Sequence, residues 1–84
     1  MNEKTATHKS ERVQRVERLL LTFADSDHQY AAVKDELVKE YRNRKECTRA
    51  IRKIATKLKE EDVIEEEIRV YNSRERIFLE KCDP

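Results

Sequence analysis

A run of basic side chains between residues 43 and 59 is the part of this sequence with the clearest chemical meaning. It holds seven Lys and Arg residues against one acid, Glu46. The next stretch, residues 60–67, holds six acids and no base, so the formal net charge of +1 conceals a basic segment beside an acidic one. Clustered guanidinium and ammonium groups are suited to binding phosphates and the edges of guanine bases.

A helix over residues 45–60 would separate these cations from an apolar stripe. At about 100° per residue, one side of the helix is apolar, and it consists of Cys47, Ile51, Ile54 and Leu58. The other side carries cations and two hydroxyls, at Lys45, Thr48, Arg49, Arg52, Lys53, Thr56 and Lys59. Solvated helix faces usually mix both signs of charge, often as Glu–Lys pairs four residues apart. Because this face is nearly single-signed, we favour nucleic-acid contact over a plain solvated surface.

Length and composition exclude several classes of protein. A chain of 84 residues has room for one domain. Gly is absent, which rules out the Gly-rich phosphate loops of P-loop and dinucleotide-binding proteins. The sequence has no plausible Ser/His/Asp or Cys/His constellation, so we expect neither an enzyme nor a cofactor. It also has no apolar run long enough for a membrane span and no signal-peptide core, so we expect a soluble cytoplasmic protein. The nucleic-acid contact favoured above would associate it with the nucleoid.

Cysteine and histidine give no sign of a metal site. The chain contains Cys47, Cys82, His8 and His28, and their separations match no zinc-binding pattern. Cys47 lies on the apolar stripe, where a free Cys behaves as a small hydrophobic residue. We therefore expect no metal site and, in a cytosolic protein, no disulfide.

The N-terminal part of the chain divides into an arm and a first helix. Residues 1–9 lack periodicity and are expected to form a flexible arm. Ser10 is a suitable N-cap for a helix over about residues 10–25. The apolar side of that helix is widened by Leu19 and Leu21. So broad an apolar surface suggests that the helix contacts both the core and the second subunit of a homodimer.

Two capping boxes predict where the following helices start. Ser26 followed three residues later by Gln29 predicts a second helix at about residues 27–42. Asn43 with Glu46 predicts that the basic helix begins one or two residues after the second helix ends. Two helices joined by a tight turn, of which the second is basic, are typical of a helix-turn-helix.

Beyond the acidic segment, the apolar residues alternate with polar ones, as they do in strands. The alternation predicts a β-hairpin with a four-residue loop at 72–75. In that register Val70 pairs with Ile77, and Ile68 pairs with Leu79, on the inner face. A two-residue loop that sets Val70 against a Glu is disfavoured, because it does not place like residues opposite each other.

The outer face of this hairpin carries two aromatic residues and several cations. The four-residue loop places Tyr71 opposite Arg76 and Arg69 opposite Phe78. The two rings would then either form a subunit interface or make cation–π contacts with the arginines. Arg74 gives the tip of the loop a basic character.

The chain from about Val13 to Cys82 resembles the winged helix-turn-helix superfamily. The most telling local match is the stretch 58–64, Leu-Lys-Glu-Glu-Asp-Val-Ile, which looks like the superfamily's junction of recognition helix and wing. Asp62 stands where that junction commonly has Gly, and Asp tolerates the left-handed conformation at some cost. The resemblance implies a small α+β winged-helix domain over residues 10–84, in which three helices are followed by a C-terminal β-hairpin wing.

The resemblance also implies a function, namely that of a small transcriptional regulator whose third helix lies in the major groove of duplex DNA. The residues expected to contact DNA are Arg44, Lys45, Thr48, Arg49, Arg52, Lys53, Thr56, Lys59, Arg74 and Arg76. Lys57 is a further candidate for a phosphate contact. The alternative is a protein–protein interaction module on the same scaffold, because a fold does not fix a function. Such a module would dock through its segregated basic and acidic surfaces, with a protein partner at residues 60–67.

Overall fold

A computed structural model of the chain describes residues 10–82. The elements in chain order are α1 (Glu11–Asp25), β1 (Tyr30–Ala32), α2 (Asp35–Val38), α3 (Arg44–Glu60), β2 (Glu67–Ser73) and β3 (Arg76–Cys82). The strands form one antiparallel sheet in the order β1-β3-β2. The predicted α+β class is therefore confirmed. The predicted N-terminal arm lies outside the described residues.

One hydrophobic core joins the two long helices to the sheet. Helix α1 buries Val16, Leu20 and Phe23, and α3 buries its apolar stripe beside them. The sheet contributes side chains spaced two apart on each long strand, namely Ile68 and Val70 on β2 and Ile77 and Leu79 on β3. These are the helical and strand spacings that the sequence displays. None of the helices within residues 10–82 is long and apolar enough to cross a membrane.

The starts of α1 and α3 agree with the sequence. The Ser10 side chain accepts a hydrogen bond from the backbone N–H of Val13 at 3.1 Å. The Asn43 side-chain carbonyl accepts a hydrogen bond from the backbone N–H of Glu46 at 2.8 Å. Each cap satisfies a backbone donor that lacks a partner within the helix, so each helix begins at the predicted position.

The predicted second helix at 27–42 is wrong. Ser26 ends α1 instead of opening a helix, because its hydroxyl donates to the Phe23 carbonyl at 2.7 Å. The chain then forms strand β1, which pairs with β3, and only afterwards the four-residue helix α2. In this segment, pairing with a distant strand outweighs the local capping signal at Ser26.

The hairpin forms with a different loop from the one predicted. Val70 lies opposite Leu79 and Ser73 lies opposite Arg76, which leaves a two-residue turn at Arg74 and Glu75. Both turn residues have positive φ, 52° and 64°, as a type I′ turn requires. The predicted register is therefore wrong by two residues. A shift of two keeps every side chain on its face, so the predicted inner face is still the buried one.

The predicted left-handed position after α3 is confirmed at Asp62, whose φ is 61°. The Val63 N–H donates to the Leu58 carbonyl at 2.9 Å, and the Asp62 N–H donates to the Lys59 carbonyl at 3.1 Å. This pair of bonds is a Schellman motif, which satisfies carbonyls at the end of the helix. It turns the chain from α3 toward β2.

Candidate functional site

The basic face of α3 contains a row of cations that no neighbouring residue engages. These four side chains, the free row, are exposed and spaced four apart: Lys45, Arg49, Lys53 and Lys57. Among residues 10–82, none of the four forms a hydrogen bond or an ion pair with another side chain. At a rise of 1.5 Å per residue, the row extends for about 18 Å along the helix. It is a continuous strip of positive charge that is open to a ligand.

Other members of the basic face are attached to the hairpin. We call Arg44, Thr48 and Arg52 the tied set. Arg52 Nε donates to the Val70 carbonyl of edge strand β2 at 2.9 Å. Arg44 Nε donates to the side-chain carbonyl of Asn72 at 3.2 Å. These two bonds hold β2 against the flank of α3, so both arginines have a structural role.

Thr48 is the most enclosed of the ten residues expected to contact DNA, with a relative exposure of 3%. Its hydroxyl donates to the Arg44 carbonyl at 2.9 Å and accepts from the Asn72 side-chain amide at 3.0 Å. Both bonding roles of the hydroxyl are thus used inside the protein. In this arrangement Thr48 stabilises the contact between α3 and the hairpin and is not exposed to a ligand.

The hairpin tip lies near the N-terminal end of α3, because Asn72 bridges to Arg44 and Thr48. Arg74 and Arg76 of the tip are exposed. The structure therefore brings the predicted wing residues to the same end of the molecule as the first turn of α3. Sequence reasoning missed the part played by Asn72, because its contacts depend on the hairpin register.

The two outward-facing aromatic residues are engaged with each other. The rings of Tyr71 and Phe78 stack with centroids 5.9 Å apart. The Arg69 guanidinium lies 4.6 Å from the centroid of the Tyr71 ring and forms an ion pair with Glu80 at 3.2 Å. A cation–π contact thus forms, although Arg69 uses Tyr71 and not the residue predicted to face it. Both rings are half-buried, which leaves little aromatic surface for stacking on bases.

The acidic segment 60–67 begins at the C-terminal end of α3, directly after the basic side chains of Lys57 and Lys59. Thr56 and Lys59 are exposed there and share a small cleft with Glu60 and Glu67. No ion pair within the described residues joins Lys57 or Lys59 to the acidic segment 60–67. The positive strip of α3 therefore ends where a segment begins whose carboxylates form no ion pair within residues 10–82.

A separate ionic contact joins α1 to the chain after α2. Arg15 makes two hydrogen bonds to the Glu40 carboxylate, and Arg12 donates to the Glu40 carbonyl at 2.8 Å. The Arg12 guanidinium also covers the Tyr41 ring at 4.3 Å. The hydrogen bond from Arg15 lowers the pKa of the Glu40 carboxyl below its ordinary value. This contact stabilises the fold away from the basic face.

The Cys47 thiol, which lies in the core on the opposite side of α3 from the free row, is poorly reactive at neutral pH. Burial raises the pKa of the Cys47 thiol to about 11, so the nucleophilic thiolate is scarce. Cys47 and Cys82 are both free thiols. Within residues 10–82, no three His, Cys, Asp and Glu side chains gather into a group that could hold a metal ion.

Comparisons of this chain with protein-family models, with curated proteins and with solved structures find no significant match.

Proposed function

We propose that this chain is a winged-helix domain that binds duplex DNA and acts as a small transcriptional regulator, with α3 as its recognition helix. The order of the elements supports the proposal, since a basic helix follows a short helix and precedes a β-hairpin whose tip returns to the start of that basic helix. The observation that carries it is the free row, because four neighbouring cations that have no partner among residues 10–82 are suited to a polyanion.

The distribution of charge favours one orientation on the duplex. The N-terminus of a helix carries a partial positive charge, which adds to the attraction that Arg44 and Lys45 exert on phosphates. The carboxylates of 60–67 would be repelled by the DNA backbone, so the C-terminal end of α3 should point away from it. The hairpin tip, with Arg74 and Arg76, would then lie over the backbone beside the groove that α3 enters.

Within the free row the residue types fit different contacts. Arg49 can present two parallel donors to the O6 and N7 atoms of guanine, which makes it our candidate for base recognition. Lys45, Lys53 and Lys57 are flexible point charges and fit phosphates. Arg52 is bound through Nε to Val70, so its first role is to position the hairpin.

The test is the salt dependence of binding to a duplex, followed by fluorescence anisotropy, with two variants of equal charge. One variant replaces Lys45, Arg49 and Lys53 by Gln. The control replaces Arg18, Lys34 and Lys39, which are also exposed but lie on α1 and around α2. We expect the first variant to bind about a hundredfold more weakly at low salt. Its slope of log affinity against log salt should fall by about 2 to 3, because each phosphate contact contributes about 0.9.

The control variant should keep nearly the affinity of the original protein. If both variants lose affinity equally, the interaction depends on net charge alone and α3 is not the recognition helix. If the unaltered protein does not bind duplex DNA even at low salt, the proposal fails.

A further inference from the structure

A shallow cleft lies between the end of α1 and the turn that follows α3. It encloses about 380 Å³ and is lined on its apolar side by Leu21, Ala24, Val63 and Ile64. Leu21 and Val63 keep 40% and 50% of their surface exposed. Among residues 10–82, Tyr30 is the only other large hydrophobic side chain that is exposed to this degree. Two of the three exposed large hydrophobic residues therefore line one cleft.

Carboxylates surround this apolar pair. Asp25 comes from the last turn of α1, and Glu65 and Glu66 come from the segment that leads to β2. Among the described residues, none of the three carboxylates forms an ion pair with a base. The cleft thus combines an apolar floor with a rim of uncompensated negative charge.

The local structure explains only part of this arrangement. Val63 occupies the position in the Schellman motif where an apolar residue commonly contacts the helix that has just ended. That role accounts for its residue type. It does not account for Leu21, which belongs to a different helix and places a second exposed apolar side chain at the same cleft. Leu21 and Val63 thus bring two exposed apolar side chains from different elements to one cleft with a polar rim.

We propose that this cleft docks a basic segment of another protein. An apolar side chain of that segment would enter between Leu21 and Val63, and its flanking Lys or Arg residues would lie against Asp25, Glu65 and Glu66. Charge complementarity favours this partner. The acidic rim would repel an acidic segment, and a purely apolar segment would provide no positive charge to pair with the carboxylates.

A second copy of this chain fits the cleft less well. The free row of a second copy lies on the outward face of α3, which presents no large exposed apolar side chain. Among residues 10–82, the remaining large exposed apolar residue is Tyr30. It lies on edge strand β1 and not on α3. The other basic region with apolar neighbours, around Arg18 and Lys34, is itself a cleft in which Leu19 and Leu37 are half-buried, so it offers no protruding apolar anchor. We therefore assign the segment with an apolar anchor and basic flanks to a different protein.

The inference goes beyond duplex binding and is compatible with it. Val63 follows the C-terminal end of α3, whereas the hairpin tip lies near its N-terminal end. The 17 residues of α3 separate the two ends by about 25 Å. Docking at the cleft would leave the hairpin tip and the N-terminal part of the free row accessible, so one molecule could hold DNA and a protein partner together.

The experiment uses the full chain labelled with ¹⁵N and three synthetic helical peptides as probes. The first carries Leu on one face with Lys on both sides, the second has Glu in place of Lys, and the third has Ser in place of Leu. We expect only the first to bind with saturation, and its amide shifts should cluster at Leu21, Val63, Glu65 and Glu66. The second and third should bind about tenfold more weakly or not at all, because each lacks one half of the complementarity.

Variants of the protein complete the test. Leu21→Ser and Val63→Ser should each weaken the first peptide about tenfold, and Glu65→Gln with Glu66→Gln should also flatten the salt dependence of binding. Tyr30→Ser, an equivalent change at an exposed apolar residue elsewhere, should have no effect. Far-UV circular dichroism should stay unchanged in all of them, and duplex binding should stay unchanged in the three uncharged replacements Leu21→Ser, Val63→Ser and Tyr30→Ser, which separates this proposal from the DNA proposal.

Three outcomes would overturn the inference. Binding of the first peptide that survives both Leu21→Ser and Val63→Ser would mean that general charge attraction alone acts here. Self-association that Leu21→Ser abolishes would make a second copy the occupant. Absence of peptide binding would mean that the cleft is no docking site for a basic segment.

Discussion

The free row and the tied set lie on the same helix and consist of similar residues, yet their surroundings differ. Arg49 is exposed and without a partner in the described part of the chain, whereas Arg52, three residues later, donates to a backbone carbonyl of β2. Thr56 is exposed, whereas Thr48 is enclosed and uses its hydroxyl twice. A basic, hydroxyl-bearing helix face is therefore not uniform. One flank builds the scaffold, and the other is available to a ligand.

This difference means that amphipathicity alone does not identify ligand contacts. A helix face opposite the core can still be covered by a strand that approaches from the side, as β2 approaches α3. The free row is the part that remains after that strand has been placed.

The largest expected effect comes from replacing Arg49 and Arg52 by Ala, one at a time. Arg49→Ala should lower duplex affinity by about 1 to 3 kcal/mol and change the unfolding free energy by less than about 0.5 kcal/mol. Arg52→Ala should lower the unfolding free energy by about 1 kcal/mol, since the Val70 carbonyl loses its donor. Urea denaturation and fluorescence anisotropy measure the two quantities. Equal losses of stability in both variants would erase the distinction between the two flanks.

A second prediction concerns the hairpin to which the tied set is attached. Arg74 and Glu75 hold positive φ without being Gly or Asn, which costs each of them conformational energy. Replacing the pair by Asn-Gly, the preferred type I′ sequence, should raise the unfolding free energy by about 1 kcal/mol. Replacing it by Ala-Ala should give no gain, because Ala keeps the steric cost. A gain with Ala-Ala in thermal denaturation would show that the turn is not the source of the effect.

The threonines provide a smaller and closely matched comparison. Thr48→Val should lower the unfolding free energy by about 1 kcal/mol, since it removes the hydroxyl that bonds Asn72 and the Arg44 carbonyl. Thr56→Val, the same change at an exposed position, should stay within about 0.5 kcal/mol. Chemical denaturation of the two variants side by side is sufficient. The comparison fails if the two values coincide.

The smallest effect is a dependence on pH. The tied arginines bond to neutral acceptors, the Val70 carbonyl and the Asn72 amide, so their contribution should not change in mild acid. The Glu40 carboxyl differs, because Arg15 lowers its pKa in the folded state. Its contribution is present above the ordinary pKa of Glu and is lost as the pH falls through the folded value.

Glu40→Gln should therefore reduce the loss of thermal stability between about pH 5 and pH 3. Arg52→Ala should leave the shape of that pH profile unchanged while it lowers the whole curve. The assignment would be wrong if Glu40→Gln showed the same pH profile as the original protein.

The parts of the fold that could be predicted from the sequence are those determined by hydrogen bonds between residues close together in the chain. Ser10 and Asn43 cap their helices through residues three positions away, so their effect can be deduced from a short stretch. Strand β1 could not be deduced in this way. It depends on pairing with β3, and Gln29 and Lys81, which lie 52 residues apart, bond across that pairing.

The hairpin register and the division of the basic face could not be predicted from the sequence for a related reason. A register shift of two residues preserves which side chains are buried, so alternation could not choose between loops. The absence of Gly and Asn from the central turn positions also hid the type I′ turn. Since the register decides that Asn72 faces Arg44 and Thr48, the division of the basic face was equally hidden. Helical angles predicted which residues face away from the core, and only the tertiary contacts separate the free row from the tied set.

Because Cys47 is buried, the rate at which its thiol is alkylated can report how often this small domain opens. With its sulfur enclosed and its pKa near 11, the thiol can meet an alkylating reagent only while the core is transiently open. Cys82, half-buried at the end of β3, does not share that protection. The ratio of the two alkylation rates in one tube would thus report how often α3 separates from the sheet, and a ligand that binds only the closed form would slow the first rate alone.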